Sequence, residues 1–424
     1  MYQWIMLGIT VIILGVLIVR KPFWLVPFLG VALALEISVT WYPQFEITNW
    51  TLEPVTLALL TSVAIILAVL VRLIIFQELR RKIVVVLKDP LTVILVLFLI
   101  LGAASVFYSV DSGKTINETG KLAYLIILFV SIALLSSKEK ALLPLHAVHF
   151  TALALAPLAF YEGFLGRAIW ETANLPADVL GINVTFSNPA AFARYIILAI
   201  AANFVIQLFA RDKGTKMICM GALAVLLAEL ALTFSPAGIL TLFIVLIIAL
   251  IIIPERAAIL WVLGLGLFGG GLVLFIRPDI WESLLKVVQS FAATNPFAQA
   301  TLAIFGGNFL LGGGFGTLET TQPSGPIFTI AAELGILGLG LFVALWAALI
   351  IRLFALYYRS SDFLSMFSNN NNEYFVGIAY FLWALTILVI SHFEGRFFAD
   401  PTFWLSCALL VVLNLNLEYN IRMY

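Results

Sequence analysis

The chain has 424 residues, of which 63% are hydrophobic and 11% charged, with 23 basic and 23 acidic side chains and no net charge; its mean hydropathy is +1.11. A soluble globular domain keeps its apolar share nearer about 45–50%, so that class is excluded, and the charge balance implies no nucleic-acid partner. What remains is a polytopic membrane protein, in which apolar runs of about 20 residues mean helices, because lipid satisfies no backbone group.

Apolar runs bounded by charges or turn residues fall at about 3–19, 23–40, 54–76, 90–109, 121–136, 142–161, 189–210, 216–233, 236–253, 257–276, 326–351, 374–391 and 401–415. They predict an all-α polytopic fold of about 12–13 transmembrane helices, forming one transmembrane domain over 1–424. Met1 to Val19 lacks a basic leader and a small-residue cleavage site, and reads as the first crossing. Arg20-Lys21-Pro22 separates two runs that are each short for a full span.

Assigning loops alternately places sixteen of the 23 basic residues on one side, including Arg80, Arg81, Lys82, Lys138, Lys140 and Arg352, and seven on the other. The excess marks the cytoplasmic side, so the N-terminus is expected outside and the C-terminus inside. Every long loop then falls on the non-cytoplasmic face: Trp41–Glu53, Tyr108–Gly120, Tyr161–Pro189, the large loop 277–325, and Ser391–Pro401. One-sided elaboration of this kind points to a site at the outer interface. A transporter would be expected to show repeated halves with broken helices, and no such internal symmetry is visible.

Few residues have the pattern of a metal or redox site. Cys219 and Cys407 sit inside apolar runs and read as buried small hydrophobes. His146 and His149 share a helix face on the cytoplasmic side without a carboxylate or thiolate nearby, whereas a divalent ion wants more ligands. The aspartates are scattered, with no Asp-x-Asp pair to hold a metal against a nucleotide diphosphate. Asn369 to Asn372 reads as a polar linker. The triplets at Asn49, Asn117 and Asn183 match the glycosylation acceptor, which matters only in a secretory-pathway protein.

The outer-side ionisable residues are more informative. Arg194 lies in the first turns of the helix after Pro189, Arg277 precedes the large loop, and Arg396 sits in Ser391-His392-Phe393-Glu394-Gly395-Arg396. Each can snorkel to headgroups, or the three can together clamp a phosphate or diphosphate, which the guanidinium fork suits. Carboxylates in spanning helices are costly and functional by default. Glu36 and Glu229 fit paired or neutral structural groups, while Glu333 and Glu394, nearer the loops, are candidates for a base that deprotonates an acceptor hydroxyl. Gly306, Gly307, Gly312, Gly313, Gly314 and Gly316 permit positive φ, and are open to two readings: amides exposed to a headgroup, or a tight turn without ligand contact.

Four stretches resemble the O-antigen ligase/polymerase family of membrane glycosyltransferases: Phe107 to Gly113, Gly181 to Ala190 with its Asn188-Pro189, Leu232-Thr233-Phe234-Ser235-Pro236-Ala237-Gly238, and Phe309 to Gly316 leading into Glu333-Leu334-Gly335. The likeness spans roughly Leu91 to Leu415 and rests on order and spacing. Where the family has a hairpin arginine this chain has Pro236, and where it has a His-Asn pair before Glu333 this chain has Ser324-Gly325. Gln299 to Gly316 and Asp89-Pro90-Leu91 also look like the related peptidoglycan polymerases of the shape, elongation, division and sporulation group, although no acid occurs in Ser290 to Asn295, where their catalytic aspartate would fall.

The resemblance implies a C-type glycosyltransferase-like fold in a bacterial cytoplasmic membrane. It also implies transfer of a glycan from a polyprenyl-diphosphate donor to a glycan or lipid acceptor, with membrane lipids as further partners and without metal or other cofactor. On that reading Arg194, Arg277 and Arg396 substitute as diphosphate ligands, Asn188 and Asn308 complete the substrate-binding set, and Glu394 and Glu333 are the catalytic candidates. A non-catalytic lipid-glycan-binding or scaffold protein of the same fold is the alternative, and a transporter is the third.

Overall fold

The structure, a computed structural model, describes residues 2–44, 54–165, 181–210, 212–253, 259–260, 264, 307–318, 325–360, 370–392 and 397–415. These form α1 (Tyr2–Arg20), α2 (Leu25–Ala32), α3 (Leu57–Ile75), α4 (Gln77–Leu87), α5 (Pro90–Ser105), α6 (Ser112–Leu135) and α7 (Leu143–Leu165). There follow α8 (Pro189–Phe209), α9 (Lys213–Leu232), α10 (Pro236–Ile252), α11 (Pro326–Ser360), α12 (Asn370–Ile390) and α13 (Pro401–Asn414), joined by short 3-10 turns and loops. Among the described residues there is no strand.

Among the described residues eight helices are long and apolar enough to cross a membrane, and the count reaches nine if α4 and α5, bent by 73° at their junction, make one span. The helices at Pro22–Ala32, Pro236–Ile252 and Pro401–Asn414 are apolar but shorter. Every predicted apolar run except 257–276, which falls almost wholly outside the described residues, thus has its helix. Two details differ from the sequence reading. Residues 77–87 form a separate amphipathic helix, turned away from α5 where Asp89-Pro90 restarts the chain. Asn370 to Asn372 of the expected linker form the start of α12, while Asn369 lies outside the described residues.

The helix starts follow from local chemistry. Asp89, Asn188, Ser235 and Asp400 each cap a helix with a side-chain oxygen and are each followed by proline at the first helical position. At the centre, α8, α12 and α13 are buried along most of their length. Their polar donors are handed to backbone carbonyls inside the bundle: Trp383 Nε1 donates to Leu198 O at 2.8 Å, and Tyr195 Oη to Gly30 O at 2.9 Å.

Contacts divide the helix ends into two faces. On one, Lys82 Nζ donates to Leu134 O and Ser136 O at 2.9 and 2.8 Å, Arg80 donates to Leu73 O and Ile74 O at 2.7 Å each, and Lys138 pairs with Glu373 at 3.0 Å. Basic side chains there complete helix C-termini, where the dipole favours cations. The buried Asp89 and Arg352 pair on the same face, tying α5 to α11. The opposite face, which carries only Lys114, Lys121 and Arg194 as cations among the described residues, gathers the loops.

Removing one partner of a buried ion pair leaves the other uncompensated, at a cost of about 3–5 kcal/mol. Arg352→Ala is therefore expected to lower the thermal unfolding midpoint of the detergent-solubilised protein clearly, and Arg81→Ala on an exposed position to leave it unchanged.

Candidate functional site

The site grows from an interruption in α11. Gly335 has φ 63° and ψ −159° within this helix, so the 35-residue element is two helical segments. A break at that depth strands carbonyls that lipid cannot satisfy. The glycine-rich segment 307–318 supplies the missing donors: Gly313 N donates to Ala332 O at 2.7 Å and Gly314 N to Glu333 O at 2.9 Å, while Phe309 O accepts from Ile336 N at 2.9 Å.

The same segment is tied on its other side to the α5–α6 turn. Val110 N donates to Gly313 O at 3.1 Å, Tyr108 Oη to Leu311 O at 3.0 Å, and Phe315 N to Ser105 Oγ at 3.0 Å. Gly312 has φ 71°, and a Cβ there would run into the backbone of Ala332 and Glu333. The glycines therefore serve close backbone packing, and the amides of Gly313 and Gly314, which the sequence left available for a headgroup, are spent on the broken helix.

A second strap, residues 181–188, threads between other helix ends. The buried Glu162 Oε2 accepts from Asn183 N at 3.2 Å and Val184 N at 2.9 Å, holding Val184 at φ 52°, a costly conformation for a β-branched residue. Thr185 Oγ1 donates to Ala34 O at 2.6 Å, and Ile182 N to Leu232 O at 3.3 Å. The strap ends at Asn188, whose side chain accepts from Ala191 N at 2.7 Å and so starts α8 with Arg194 one turn inside.

Between the straps lies a cavity of about 440 Å³. Its wall is largely apolar, with Leu59, Leu122, Leu125, Leu128, Leu198, Ile330 and Ile387, and with the rings of Phe186, Phe315 and Phe398. Its polar end carries Glu36, Glu118, Lys121, Arg194, Glu333 and Asp400. At about 1.5 Å per residue, Leu198 lies roughly 13 Å along α8 from Pro189, so the apolar part descends well into the hydrocarbon.

Arg194 is held from two sides. Its Nη1 lies 2.7 Å from Asp400 Oδ2 and its Nη2 3.7 Å from Glu36 Oε1. The Asp400 contact is an approach of charges rather than an aligned hydrogen bond, since Oδ2 receives no N–H in line. Asp400 Oδ1 accepts from Thr402 N at 2.8 Å and Glu36 Oε2 from Ser187 N at 2.8 Å, so both carboxylates are themselves anchored. Lys121 pairs with Glu118 at 3.2 Å. Glu333 is 2% exposed, and its Oε1 accepts from Leu318 N at 3.3 Å. In the described lining, two cations face four carboxylates.

Of the sequence-predicted residues, Arg194 and Glu333 meet in this cavity. Asn188 serves as a helix cap, and Asn308 is exposed, with its carbonyl accepting from Gly312 N at 2.8 Å; neither lines the cavity. Arg277, Glu394 and Arg396 lie outside the described residues. Asp400, Glu118 and Lys121 are lining residues that the sequence does not single out; Asp400 also caps the following helix, and its approach to Arg194 depends on packing between distant elements. Glu36, which the sequence suggests is a paired or neutral structural group, pairs with Arg194 from a 3-10 turn and also lines the cavity.

His392 follows α12, and its ring packs on Gly325: a Cβ at residue 325 would stand 2.9 Å from His392 Cδ2. Its Nδ1 is 2.9 Å from Leu388 O, and burial holds its imidazolium below the ordinary histidine range. Among the described residues no three His, Cys, Asp or Glu side chains come together in a metal-binding group. No protein-family model matches the chain, and no curated protein matches it. What is established is a multi-pass, all-helical membrane protein.

The strap makes a direct prediction. Gly312→Ala meets both a positive φ, costing about 1–2 kcal/mol, and a clash with α11, whereas Gly340→Ala has open space around it. Thermal stability in detergent should fall for Gly312→Ala and stay at the wild-type value for Gly340→Ala.

Proposed function

We propose that this protein is a membrane glycosyltransferase that takes a glycan from a polyprenyl-diphosphate donor at the face bearing the two straps. The positive-inside rule then puts that face outside the cytoplasm. The observation that carries the reading is the shape and chemistry of one cavity: an apolar channel deep enough for a prenyl chain, closed at its polar end by Arg194 and by carboxylates.

Two further observations support it. The four stretches that resemble the O-antigen ligase/polymerase family fall into two contacting groups, 107–113 with 309–316 and 333–335, and 181–190 with 232–238, and Phe186, Phe315 and Glu333 of these groups line the cavity. The imidazole that the resemblance places before Glu333 is missing from Ser324-Gly325, but His392 brings one against the backbone of Gly325 from another helix. In this reading an acceptor hydroxyl attacks the anomeric carbon, the bond to the lipid diphosphate breaks, and Arg194 stabilises the departing charge. Glu333 or Glu394 takes the hydroxyl proton. The non-catalytic alternative draws on Pro236, which stands in place of the hairpin arginine.

The test is transfer in vitro by the purified full-length protein from undecaprenyl-diphosphate oligosaccharide to a panel of glycan and lipid acceptors. Wild type should turn over, Arg194→Ala should lose about tenfold to a hundredfold of kcat/KM, and Glu333→Gln should lose kcat with the thermal midpoint retained. Absence of turnover by wild type across the panel overturns the enzymatic reading in favour of the scaffold.

A further inference from the structure

Arg194 does not wait open for an anion, and its two carboxylate partners are not equivalent. Asp400 is close, at 2.7 Å, with a side chain 7% exposed, and it is fixed at the start of α13 by Pro401 and by its bond from Thr402 N. Glu36 is 3.7 Å away, 30% exposed, and keeps an independent anchor on Ser187 N through its other oxygen. Charge attraction falls with distance and with exposure to solvent, so Glu36 is the weaker of the two and can release Arg194 without leaving its own turn.

We infer that Glu36 is an internal stand-in for the anionic group of the ligand. A diphosphate displaces Glu36 from Arg194 Nη2, while Asp400 stays bound to Nη1 and holds the guanidinium in position. Asp400 is thus a positioning residue, and Glu36 sets how tightly a diphosphate is held. The geometry separates the two roles: the contact to be exchanged is the long, exposed one, and the contact that persists is the short, buried one. Excess carboxylate around the cation also disfavours entry of small inorganic anions from solution, because a ligand must add prenyl burial to the exchange. The inference rests on reading the cavity as a lipid-diphosphate site.

The experiment is calorimetric binding to the full-length protein in lipid nanodiscs, with farnesyl diphosphate and inorganic pyrophosphate as the two probes. Wild type is expected to bind farnesyl diphosphate at least about tenfold tighter than pyrophosphate. Glu36→Gln, whose amide oxygen can still accept from Ser187 N, is expected to bind farnesyl diphosphate about fivefold tighter than wild type. Arg194→Gln is expected to bind it at least about tenfold more weakly. Asp400→Asn keeps the helix cap but removes the close charge at Nη1, so it is expected to weaken binding and to lower kcat in the transfer assay.

Wild-type binding with no tightening by Glu36→Gln overturns the displacement while leaving the site as a lipid-diphosphate site. Equal tightening by Asp400→Asn and Glu36→Gln overturns the division of roles. Wild type that binds neither probe overturns both the displacement and the lipid-diphosphate reading beneath it, and equal affinity for the two probes assigns the site to free phosphate. Glu36→Ser serves as a second variant should Glu36→Gln not purify, with the same expected tightening.

Discussion

A helix broken inside a membrane must find donors and acceptors for the groups it strands, and in this protein that requirement is met at Gly335 by one short glycine-rich strap. The strap is held in turn by the α5–α6 turn, through Ser105, Tyr108 and Val110. Because the amides of Gly313 and Gly314 bond to the carbonyls of Ala332 and Glu333, the residue that turns a carboxylate toward the cavity is fixed by the same bonds that repair the helix. Structure and site therefore share one set of hydrogen bonds. A change that loosens the strap reaches Glu333 directly.

The second strap works by related means. Residues 181–188 are pinned by the buried Glu162 and by exchanges with Ala34, Ile37 and Leu232, and they deliver both Asn188, which starts α8, and the amide that anchors Glu36. Arg194 is brought to Asp400 and Glu36 only because α8, α13 and the turn after α2 converge at this face. Buried or half-buried charges of this kind cost desolvation unless they are paired, and here the pairing also keeps the guanidinium poised at the polar end of an apolar channel. The opposite face uses its charges differently, with Lys82 and Arg80 closing helix C-termini and Asp89 with Arg352 joining two helices. One face spends basic residues on fixing the bundle; of the three described cations on the other, Lys121 and Arg194 line the cavity and Lys114 pairs with Asp111.

The parts of this arrangement that follow from local rules were readable in the residues. Apolar runs marked the helices, and the placement of lysine and arginine separated the faces. Burial of Cys219 and Cys407 followed from their apolar surroundings. The glycine cluster was legible as a place where backbone comes close, but not what it approaches, since an orphan carbonyl at 332 or 333 exists only once Gly335 has broken the helix. Asp400 was hidden because its second oxygen meets Arg194 only through packing of elements far apart in sequence. Glu229, in α9, is fully buried, and among the described residues its oxygens receive no hydrogen bond; neither the sequence nor the fold gives a physical account of it.

The central claim is that the cavity between the two straps holds a polyprenyl diphosphate with its chain against α6 and α8. Photocrosslinking tests it most directly, using a polyprenyl diphosphate that carries a diazirine on the prenyl chain, the protein in native-like nanodiscs, and peptide mapping of the adducts. The account predicts adducts concentrated around Leu125 to Leu128 and Leu198, competed away by excess unlabelled lipid diphosphate. Adducts confined to the lipid-facing surfaces of α1 and α9, unaffected by competitor, would contradict it.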